Sequence, residues 1–356
     1  MYRLLTINPG STSTKVAVFE DLNCVFETAV LHHTGDLKKF STVMDQFDMR
    51  RKCVLDALKK AGQSLDFAAV VGRGGLARAV ASGTYEVTDK MIEEERNAEH
   101  QHACDLGCII AKSIANDIPG CVSLVADPGT TDELAPEAKV SGLPELPRIC
   151  IWHALNQKAI ARRYAREHHT RYEDLNLIIC HLGGGISVAA HKHGKAIDAN
   201  NALDGEGPFS PERAGSLPAA ALVSLCFSGK YTEQELRKIV SGHGGMIAHL
   251  GTKDMQKVIK MIENGDEHAR LILNAMVWHT AKAIVSEGAV LCGPPDAILL
   301  TGGIAYNDYI VELLKQRIEW LAPVAVYPGE NEMQALAENG LRYLFEHQKP
   351  SYISKK

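Results

Sequence analysis

Two stretches of this sequence share a layout in which a short turn joins two apolar runs. The later stretch, Ile178–Ala190, carries three adjacent glycines between its apolar halves. The earlier one, Leu4–Phe19, passes through Asn8, Pro9 and Gly10 and then through four consecutive hydroxyl residues before Lys15. Each pattern predicts a β-hairpin followed by another turn and a third strand. The two copies lie too far apart for a solenoid repeat, so we predict a duplicated α/β unit.

Both turns are suited to binding an anion. Glycines 183–185 have no Cβ atoms, so backbone N–H groups can approach a ligand closely and form an anion-binding concavity. His181 and Ser187 flank this turn, and Lys15 follows the hydroxyl residues of the earlier one. An ordinary hairpin turn would explain either stretch alone. The repetition favours a ligand-binding role for both.

Length and composition limit the classes of protein to consider. A chain of 356 residues, with 46% apolar and 23% charged residues, predicts a globular protein of two domains. The net charge of -5 and the lack of a basic block argue against a nucleic-acid partner. No apolar run is long enough to span a bilayer, and the N-terminus lacks a signal-peptide layout. Nine cysteines without a C-x-x-C pair predict reduced thiols in the cytoplasm and argue against a zinc site.

A predicted strand, Phe67–Val71, runs into Gly72–Ala77, which matches the dinucleotide pattern G-x-G-x-x-A. That pattern should open a helix, but an extended segment, Thr84–Val87, follows here, so the context disfavours a dinucleotide site. Arg73 lies between glycines at the end of the buried strand. A charged group in this place is expected to face a cleft, with a structural ion pair as the alternative. Asp127 likewise follows a predicted strand, where ligands bind in α/β sheets.

The rest of the chain predicts helices, a long polar loop and two more strands. Apolar spacing predicts helices over Leu37–Ala61 and Asp89–Ile118, and a further helix is predicted over Glu267–Leu291. A loop rich in glycine, proline and asparagine, Asn200–Gly215, carries Arg213 and is long enough to be functional. A strand at Ala297–Thr301 then ends in a double glycine, against which a flat ring could lie.

Taken together, these motifs resemble the acetokinase family, a member of the acetate kinase, sugar kinase, heat-shock 70 and actin superfamily. Asn8–Lys15 resembles the opening N-x-G-S-x-S-x-K signature of the family, His181–Ser187 its second phosphate motif, and Thr301–Ile304 its adenosine motif. The resemblance covers residues 4 to about 344. Within the family, the butyrate kinases are matched best, at Gly72–Gly75, Trp152–Gln157, Ala202–Phe209 and Pro211–Gly215.

The resemblance implies an α/β fold of two duplicated ribonuclease H-like (actin-type ATPase) domains with a central cleft between them. The expected domains are residues 1–152 plus 337–356 and residues 153–336. The implied reaction is reversible phosphoryl transfer between ATP and a short-chain carboxylate, with Mg²⁺ as cofactor. Butyrate is the leading acceptor, with isobutyrate, acetate and propionate left open. The family further implies a cytoplasmic homodimer or larger homo-oligomer that binds small carboxylic acids or acyl phosphates, in fermentation.

The resemblance also implies roles for individual residues. Arg73 and Arg213 would bracket the carboxyl and phosphoryl groups, and His181 would contact the phosphoryl group. His153 and His102 would line the cleft, with His100 as the alternative to His102. Asp127 and Glu332 would hold the metal, Asp127 also counting among the catalytic residues. The nucleotide would be bound by Asn8, Ser11, Ser13, Lys15, Gly183, Gly184, Gly185, Asp254, Gly302, Gly303 and Ile304.

The chemistry of phosphoryl transfer independently favours these residue types. The protein must position the reactants in line and neutralise oxygens, for which arginine forks are suited. A carboxylate acceptor is already ionised at neutral pH, so histidines serve as hydrogen-bond donors and not as general bases. The Walker pattern is absent, which excludes a P-loop kinase. A heat-shock 70 or actin-like ATP-driven binding protein would keep both hairpins but would not need two arginines and acid-facing histidines.

Overall fold

The computed structural model describes residues 1–98 and 101–346. The chain divides into two compact units. Unit 1 comprises Met1–Asp132 and the segment from Asn331 onward, and unit 2 comprises Glu133–Glu330. Contacts therefore group residues 133–152 with unit 2 and residues 331–336 with unit 1. The functional domain boundaries at 152/153 and 336/337 stay a prediction.

The described residues contain two sheets. Unit 1 holds six strands: β1 Arg3–Pro9, β2 Ser13–Glu20, β3 Asn23–Leu31, β4 Ala69–Arg73, β5 Thr84–Glu86 and β6 Val122–Ala126. Unit 2 holds five: β7 Asn176–Leu182, β8 Ile186–Lys192, β9 Lys195–Ala199, β10 Ala297–Gly302 and β11 Val324–Pro328. The helices are α1 Thr34–Leu37, α2 Phe47–Lys60, α3 Asp89–Arg96, α4 Leu106–Ala115, α5 Ala154–Glu167, α6 Ala219–Cys226, α7 Glu233–Gly242, α8 Gly245–Leu250, α9 Met255–Glu263, α10 Glu267–Leu291, α11 Asp308–Ile318 and α12 Glu332–Glu346.

The predicted duplication is confirmed by the strand order. The sheet of unit 1 runs β3-β2-β1-β4-β6-β5, and that of unit 2 runs β11-β10-β7-β8-β9. In each unit the first three strands form an antiparallel meander. The first strand of each meander also pairs in parallel with a later strand, β1 with β4 and β7 with β10. Both meanders carry a register shift between their second and third strands, at Val18/Phe19 and at Ala190/His191. One supersecondary plan therefore builds both units.

Helices cover both faces of each sheet, which explains why the central strands are apolar throughout. In unit 1, α2 and α4 pack against the face that carries Leu5, Ile7 and Val70, whereas α12 lies over the other face, where Gly340 meets Val71. In unit 2, α9, α10 and α11 share one core cluster with the sheet, and α5 shares a second cluster on the opposite face. The ends of these rigid strands then position the functional residues.

Two predicted helices differ from the structure. The α-helix predicted over Leu37–Ala61 begins only at Phe47, after a 3₁₀ turn over Met44–Gln46. Thr42 and Asp45 bond each other's backbone N–H groups as a capping box, which sets the start of this helical segment. The helix predicted over Asp89–Ile118 is interrupted between α3 and α4, where His102 caps a short 3₁₀ turn. Residues Gly72–Ala77 lead into no helix, which confirms the case against a dinucleotide fingerprint.

Among the residues described, no helix combines the length and hydrophobicity needed to cross a bilayer.

Candidate active site

The carboxyl ends of three neighbouring strands in unit 1 carry three of the predicted site residues. Parallel pairing aligns Ile7 of β1 with Gly72 of β4, and Arg73 of β4 with Ala126 of β6. The next residues along β1 and β6 are Asn8 and Asp127. Asn8, Arg73 and Asp127 therefore lie at one edge of the sheet, where α/β folds bind ligands.

Arg73 is held between Asn8 and Glu332, the first residue of α12. Its Nη1 lies 3.0 Å from a carboxylate oxygen of Glu332 and donates to the Asn8 side-chain oxygen at 3.4 Å. The Asn8 amide in turn donates to the other Glu332 oxygen. Arg73 therefore forms the ion pair that was the alternative to a cleft-facing role, and its partner is itself a predicted site residue. The guanidinium remains partly exposed, whereas the Glu332 side chain is buried.

Asp127 occupies a strained position immediately after β6. Its backbone φ is 36°, in the left-handed region that non-glycine residues seldom adopt. One carboxylate oxygen accepts hydrogen bonds from the Ser82 hydroxyl at 2.6 Å and from the Gly83 N–H at 2.9 Å. These two bonds orient a buried carboxylate at the sheet edge, which fits a role in holding a cation.

The first hairpin turn contacts the predicted histidine. Within the turn, the Gly10 N–H donates to the Ser13 carbonyl at 2.8 Å. The Ser11 hydroxyl lies 3.3 Å from Nε2 of His102, so the interruption of the predicted helix brings this histidine to the first hairpin turn. Lys15 follows in β2, partly exposed. His100, the alternative to His102, lies outside the described residues.

Behind the same turn lies a buried arginine that the sequence analysis missed. Arg50 of α2 is fully buried, and its Nη1 donates to the Ser13 carbonyl at 3.1 Å and to the Thr14 hydroxyl at 3.0 Å. No carboxylate in the described residues forms an ion pair with it. Burial of His32, and then the nearby Arg50 charge, lower the pKa of that histidine. A positive charge therefore lies directly behind the predicted anion site. A lone arginine in an amphipathic helix gives no sequence signal of this.

Two buried acids also support the Arg73 turn without having been predicted. Asp105 accepts from the Leu76 N–H at 3.0 Å and from the His102 N–H at 2.6 Å, linking the turn to His102. The Glu95 carboxyl packs against Gly75, where a Cβ atom would overlap it. Burial, and the nearby Asp105 charge, raise the pKa of Glu95 to about 8, and burial raises that of Asp105 to about 6.

In unit 2 the three glycines form a closed turn between β7 and β8. The Gly183 N–H donates to the Gly185 carbonyl at 3.1 Å. The Gly184 carbonyl accepts from the Ser210 hydroxyl at 2.6 Å and from the Glu212 N–H at 3.2 Å. The long polar loop is thereby attached to the turn, as its predicted functional role requires.

Arg213 is the residue that this loop delivers. Its Nη1 donates to the Ala202 carbonyl at 2.6 Å. A Cβ atom on Gly185 would overlap Nη1 and would lie 2.9 Å from the Ala202 carbonyl oxygen. The absence of a side chain at residue 185 is thus what lets the guanidinium reach the glycine turn. Sequence spacing alone could not reveal this contact.

His153 and His181 stack on each other. Their ring centroids are 3.7 Å apart with an interplanar angle of 10°. His181 belongs to β7 and is buried, and His153 precedes α5. Nδ1 of His153 lies 2.7 Å from the Ser187 hydroxyl, and Nδ1 of His181 lies 2.8 Å from the Asn156 side-chain oxygen. Two predicted site residues from different elements are therefore fixed in one arrangement.

A cavity of about 460 Å³ in unit 2 is large enough for a nucleotide. Asp254 lies on its wall and also caps the N-terminus of α9, accepting from the Gln256 N–H at 3.0 Å. Gly302 has a φ of 92° and lies against the Leu182 backbone, a place that a side chain could not occupy. Predicted residues that line the cavity are Gly183, Gly184, Asp254, Gly303 and Ile304.

The predicted residues thus form two sets, one in each unit. Asn8, Arg73 and Glu332 are bonded together in unit 1, and Ser11 lies beside His102. In unit 2 the stacked histidines and Arg213 lie against or within one hairpin, whose turn is the three glycines. The described residues contain no cluster of three or more His, Cys, Asp or Glu side chains that could hold a metal unaided.

Comparison with known proteins places the chain in a family. The model of the acetokinase family matches residues 150–349. The chain is 55% identical over 339 residues to a probable butyrate kinase of Bacteroides thetaiotaomicron, covering 95% of this chain and 96% of that protein. It is 49% identical over 346 residues to butyrate kinase 1 of Clostridium acetobutylicum, covering 97% of each.

Solved structures support the same fold at lower identity. Acetate kinase of Porphyromonas gingivalis has a TM-score of 0.77 at 18% identity, covering 96% of this chain and 99% of that one. Acetate kinase of Entamoeba histolytica has a TM-score of 0.78 at 15% identity, covering 97% and 100%. The predicted actin-type ATPase fold is confirmed by this likeness, and the matches in sequence establish that the chain belongs to the acetokinase family.

Proposed function

We propose that this protein is a butyrate kinase, which transfers a phosphoryl group reversibly between ATP and butyrate to give butyryl phosphate and ADP. The observation that carries the proposal is the contact of Arg213 with the Gly185 turn, on a hairpin that also lines a nucleotide-sized cavity. A turn of backbone N–H groups with an adjacent guanidinium is what a transferring phosphoryl group requires. Family membership and butyrate kinase relatives at about half identity support it.

In this proposal unit 2 binds the nucleotide. The adenosine lies along Gly303, Ile304 and Asp254, and the phosphates lie along the 183–185 turn. Arg213 stabilises the charge that develops on the equatorial oxygens of the γ-phosphoryl group. His153 and His181 contribute ring nitrogens at fixed positions because each is bonded to a neighbouring side chain.

Unit 1 binds the acid and supplies the metal ligands. Arg73 is partly exposed and pairs with the carboxylate of the substrate, for which its planar fork is suited. The carboxylate oxygen attacks the γ-phosphorus directly, and the bond to the leaving ADP oxygen breaks in line. His102, Ser11, Ser13 and Lys15 complete the first phosphate turn, behind which Arg50 adds a positive charge.

The carboxylates of unit 1 fit a Mg²⁺ ion. Asp127 is buried at the sheet edge and Glu332 begins α12 nearby in the same unit, and both offer the oxygen ligands that Mg²⁺ prefers. Two carboxylates without a larger cluster suit an ion that keeps waters and binds phosphate oxygens. When bound, Mg²⁺ supplies charge neutralisation on the β- and γ-phosphates.

We further propose that the enzyme is a cytoplasmic homo-oligomer acting in fermentation; light scattering would measure its mass.

The test is ATP-dependent formation of an acyl phosphate, trapped as its hydroxamate. We expect more product from butyrate than from acetate or propionate at equal concentration. Product from acetate alone would assign the chain to acetate kinase instead. ATP hydrolysis without any acyl product would favour an actin-like ATP-driven protein. Discrimination between acids will be modest, because one methylene in an apolar pocket contributes only about 1–3 kcal/mol.

A further inference from the structure

A network of buried side-chain hydrogen bonds leads to His153 from the interior of unit 2. The Tyr172 hydroxyl lies 2.6 Å from Nδ1 of His191, whose Nε2 lies 3.0 Å from the Gln157 side-chain oxygen. The Gln157 amide nitrogen lies 2.9 Å from the Ser187 hydroxyl, which lies 2.7 Å from Nδ1 of His153. We call these five residues the Tyr172–His153 network. His191, Gln157 and Ser187 are completely buried.

The orientation of the Gln157 amide determines the direction of the hydrogen bonds between Tyr172 and Gln157. Its nitrogen also donates to the Ser187 backbone carbonyl at 3.2 Å, and a carbonyl can only accept. The opposite end of the amide is therefore the oxygen, so Nε2 of His191 must carry a proton. Burial, and then the nearby Lys158 and Arg162 charges, lower the pKa of His191 well below its ordinary value, so its ring is neutral. Nδ1 of His191 is thus unprotonated and accepts from the Tyr172 hydroxyl.

The Ser187 hydroxyl determines the direction of the hydrogen bonds between Gln157 and His153. Its oxygen accepts from the Gln157 amide at 2.9 Å and from the His153 backbone N–H at 3.4 Å. These two donors occupy both lone pairs of the hydroxyl oxygen. The hydroxyl proton must then point to Nδ1 of His153, which accepts it. All bonds of the network consequently run in one direction, from Tyr172 to His153.

In His181, which stacks on His153, the hydrogen bonds put the proton on the other ring nitrogen. The Asn156 amide nitrogen donates to the Glu330 backbone carbonyl at 2.6 Å, so the Asn156 oxygen faces Nδ1 of His181. Nδ1 of His181 therefore carries a proton. In their neutral forms the two rings thus have opposite tautomers, although they lie 3.7 Å apart and nearly parallel.

We propose that the Tyr172–His153 network holds His153 as a neutral ring with its proton on Nε2, so that His153 is the standing hydrogen-bond donor of the stacked pair. Tyr172, His191, Gln157 and Ser187 are positioning residues that act through His153. His181 can donate from Nε2 only after it takes up a second proton. The use of this donor on a phosphoryl oxygen rests on the proposed kinase function, but the tautomer itself does not.

The direct test is long-range ¹H–¹⁵N NMR of the full chain labelled with ¹⁵N-histidine, with His153 assigned by the loss of its signals in His153→Asn. We expect Nδ1 of His153 to be unprotonated and Nε2 to be protonated at neutral pH. A ring protonated on Nδ1, or on both nitrogens, would overturn the proposal. An inactive protein with the expected tautomer would overturn the kinase function and uphold the network.

Variants test whether the network sets this tautomer. Gln157→Glu replaces the amide donor with a second acceptor, so the Ser187 hydroxyl should turn toward the carboxylate and the His153 proton should move to Nδ1. Ser187→Ala should give mixed tautomers and reduce kcat on the order of 10- to 100-fold with little change in the KM for ATP. Ser187→Thr, which keeps the hydroxyl, should restore both, and Ser224→Ala on an exposed helix is the matched control. Unchanged tautomers in Gln157→Glu and Ser187→Ala would overturn the proposal.

Discussion

The two units share one sheet topology but support their hairpin turns by different means. In unit 1 the groups behind and beside the turn include charged ones, Arg50 and the Arg73–Glu332 pair. In unit 2 a network of uncharged side chains leads through the interior to His153, and the cation beside the turn is Arg213. Duplication thus preserved the backbone plan while the buried polar groups diverged. Under the proposed kinase function, the charges of unit 1 and the tautomer control proposed for unit 2 would serve different parts of one reaction.

The turns themselves differ in how tightly they are packed. A Cβ atom on Gly10 would meet the Ser13 carbonyl oxygen at 3.6 Å, which is an ordinary contact. On Gly185 it would overlap Arg213 and lie 2.9 Å from the Ala202 carbonyl oxygen. The first turn therefore has room for a side chain at residue 10, whereas the second turn depends on having none at residue 185.

The largest effect is expected from removing the arginine of unit 2. Arg213→Ala should reduce kcat on the order of 10³-fold or more, because it deletes the cation nearest the phosphate turn. Nucleotide binding, measured by calorimetry with ADP, should persist, because the cavity wall is otherwise intact.

Two controls separate this effect from unfolding. Arg171→Ala removes an exposed arginine whose ion pairs with Glu173 and Asp174 are 3.7 and 3.8 Å long, and it should leave kcat unchanged. Arg213→Lys keeps the charge but loses the planar fork, and should retain only part of the activity. Near-normal turnover of Arg213→Ala would remove this residue from the site and weaken the assignment of roles to the two units.

Because the two turns are packed differently, the same glycine-to-alanine substitution should have different effects in each. These effects are smaller than that of Arg213→Ala. Gly185→Ala should destabilise unit 2 by about 1–3 kcal/mol through overpacking and should lower kcat by displacing Arg213. Gly10→Ala should change the unfolding free energy by less than about 0.5 kcal/mol. Denaturant titration and hydroxamate assays on both variants measure the contrast. Equal effects of the two substitutions would mean that the turns are packed alike.

The fold could be predicted from the sequence because it follows from local patterns, whereas the roles of the site residues came from the family resemblance and stay predictions. Paired hairpins, strand ends and glycine turns are each encoded within about ten residues, and the structure has them at Arg3–Glu20 and Asn176–Lys192. Helix α10 was bounded correctly, since Asp266 and Leu291 mark a clear cap and end. Long apolar periodicity was less reliable where polar side chains capped a turn inside it, as His102 does between α3 and α4.

The missed residues have a common physical cause. Arg50, Glu95 and Asp105 act through partners that are distant in the chain, such as Ser13 and Gly75. Nothing in a helical stretch distinguishes a buried charge from a solvated one, because the pattern records which residues are apolar and not which polar group is enclosed. The Gln157 and Ser187 contacts likewise depend on the pairing of β7 with β8 and on the position of α5.

The smallest predicted effect concerns the opposite pH dependence of the two units. Glu95 keeps its proton in the folded state up to about pH 8, whereas the unfolded chain releases it near pH 4.5. The stability of unit 1 should therefore fall as the pH rises between these values, because the folded state binds more protons. His191 in unit 2 has a lowered pKa, so that unit should lose stability as the pH falls through the ordinary histidine range near 6.5.

Glu95→Gln isolates the contribution of unit 1. The neutral amide has nearly the same shape, so hydrogen exchange at residues 72–77 should match the wild-type protein at pH 5 and become slower than it at pH 8. Exchange at residues 176–192 should be the same in both proteins, since that segment belongs to unit 2. The melting temperature at pH 8 should rise by about 2–4 °C for each kcal/mol recovered. Faster exchange in the variant at pH 8 would contradict this prediction. It would show that ionised Glu95 stabilises the Arg73 turn, so that Glu95 would join Arg50 and the Arg73–Glu332 pair as a charged group supporting unit 1.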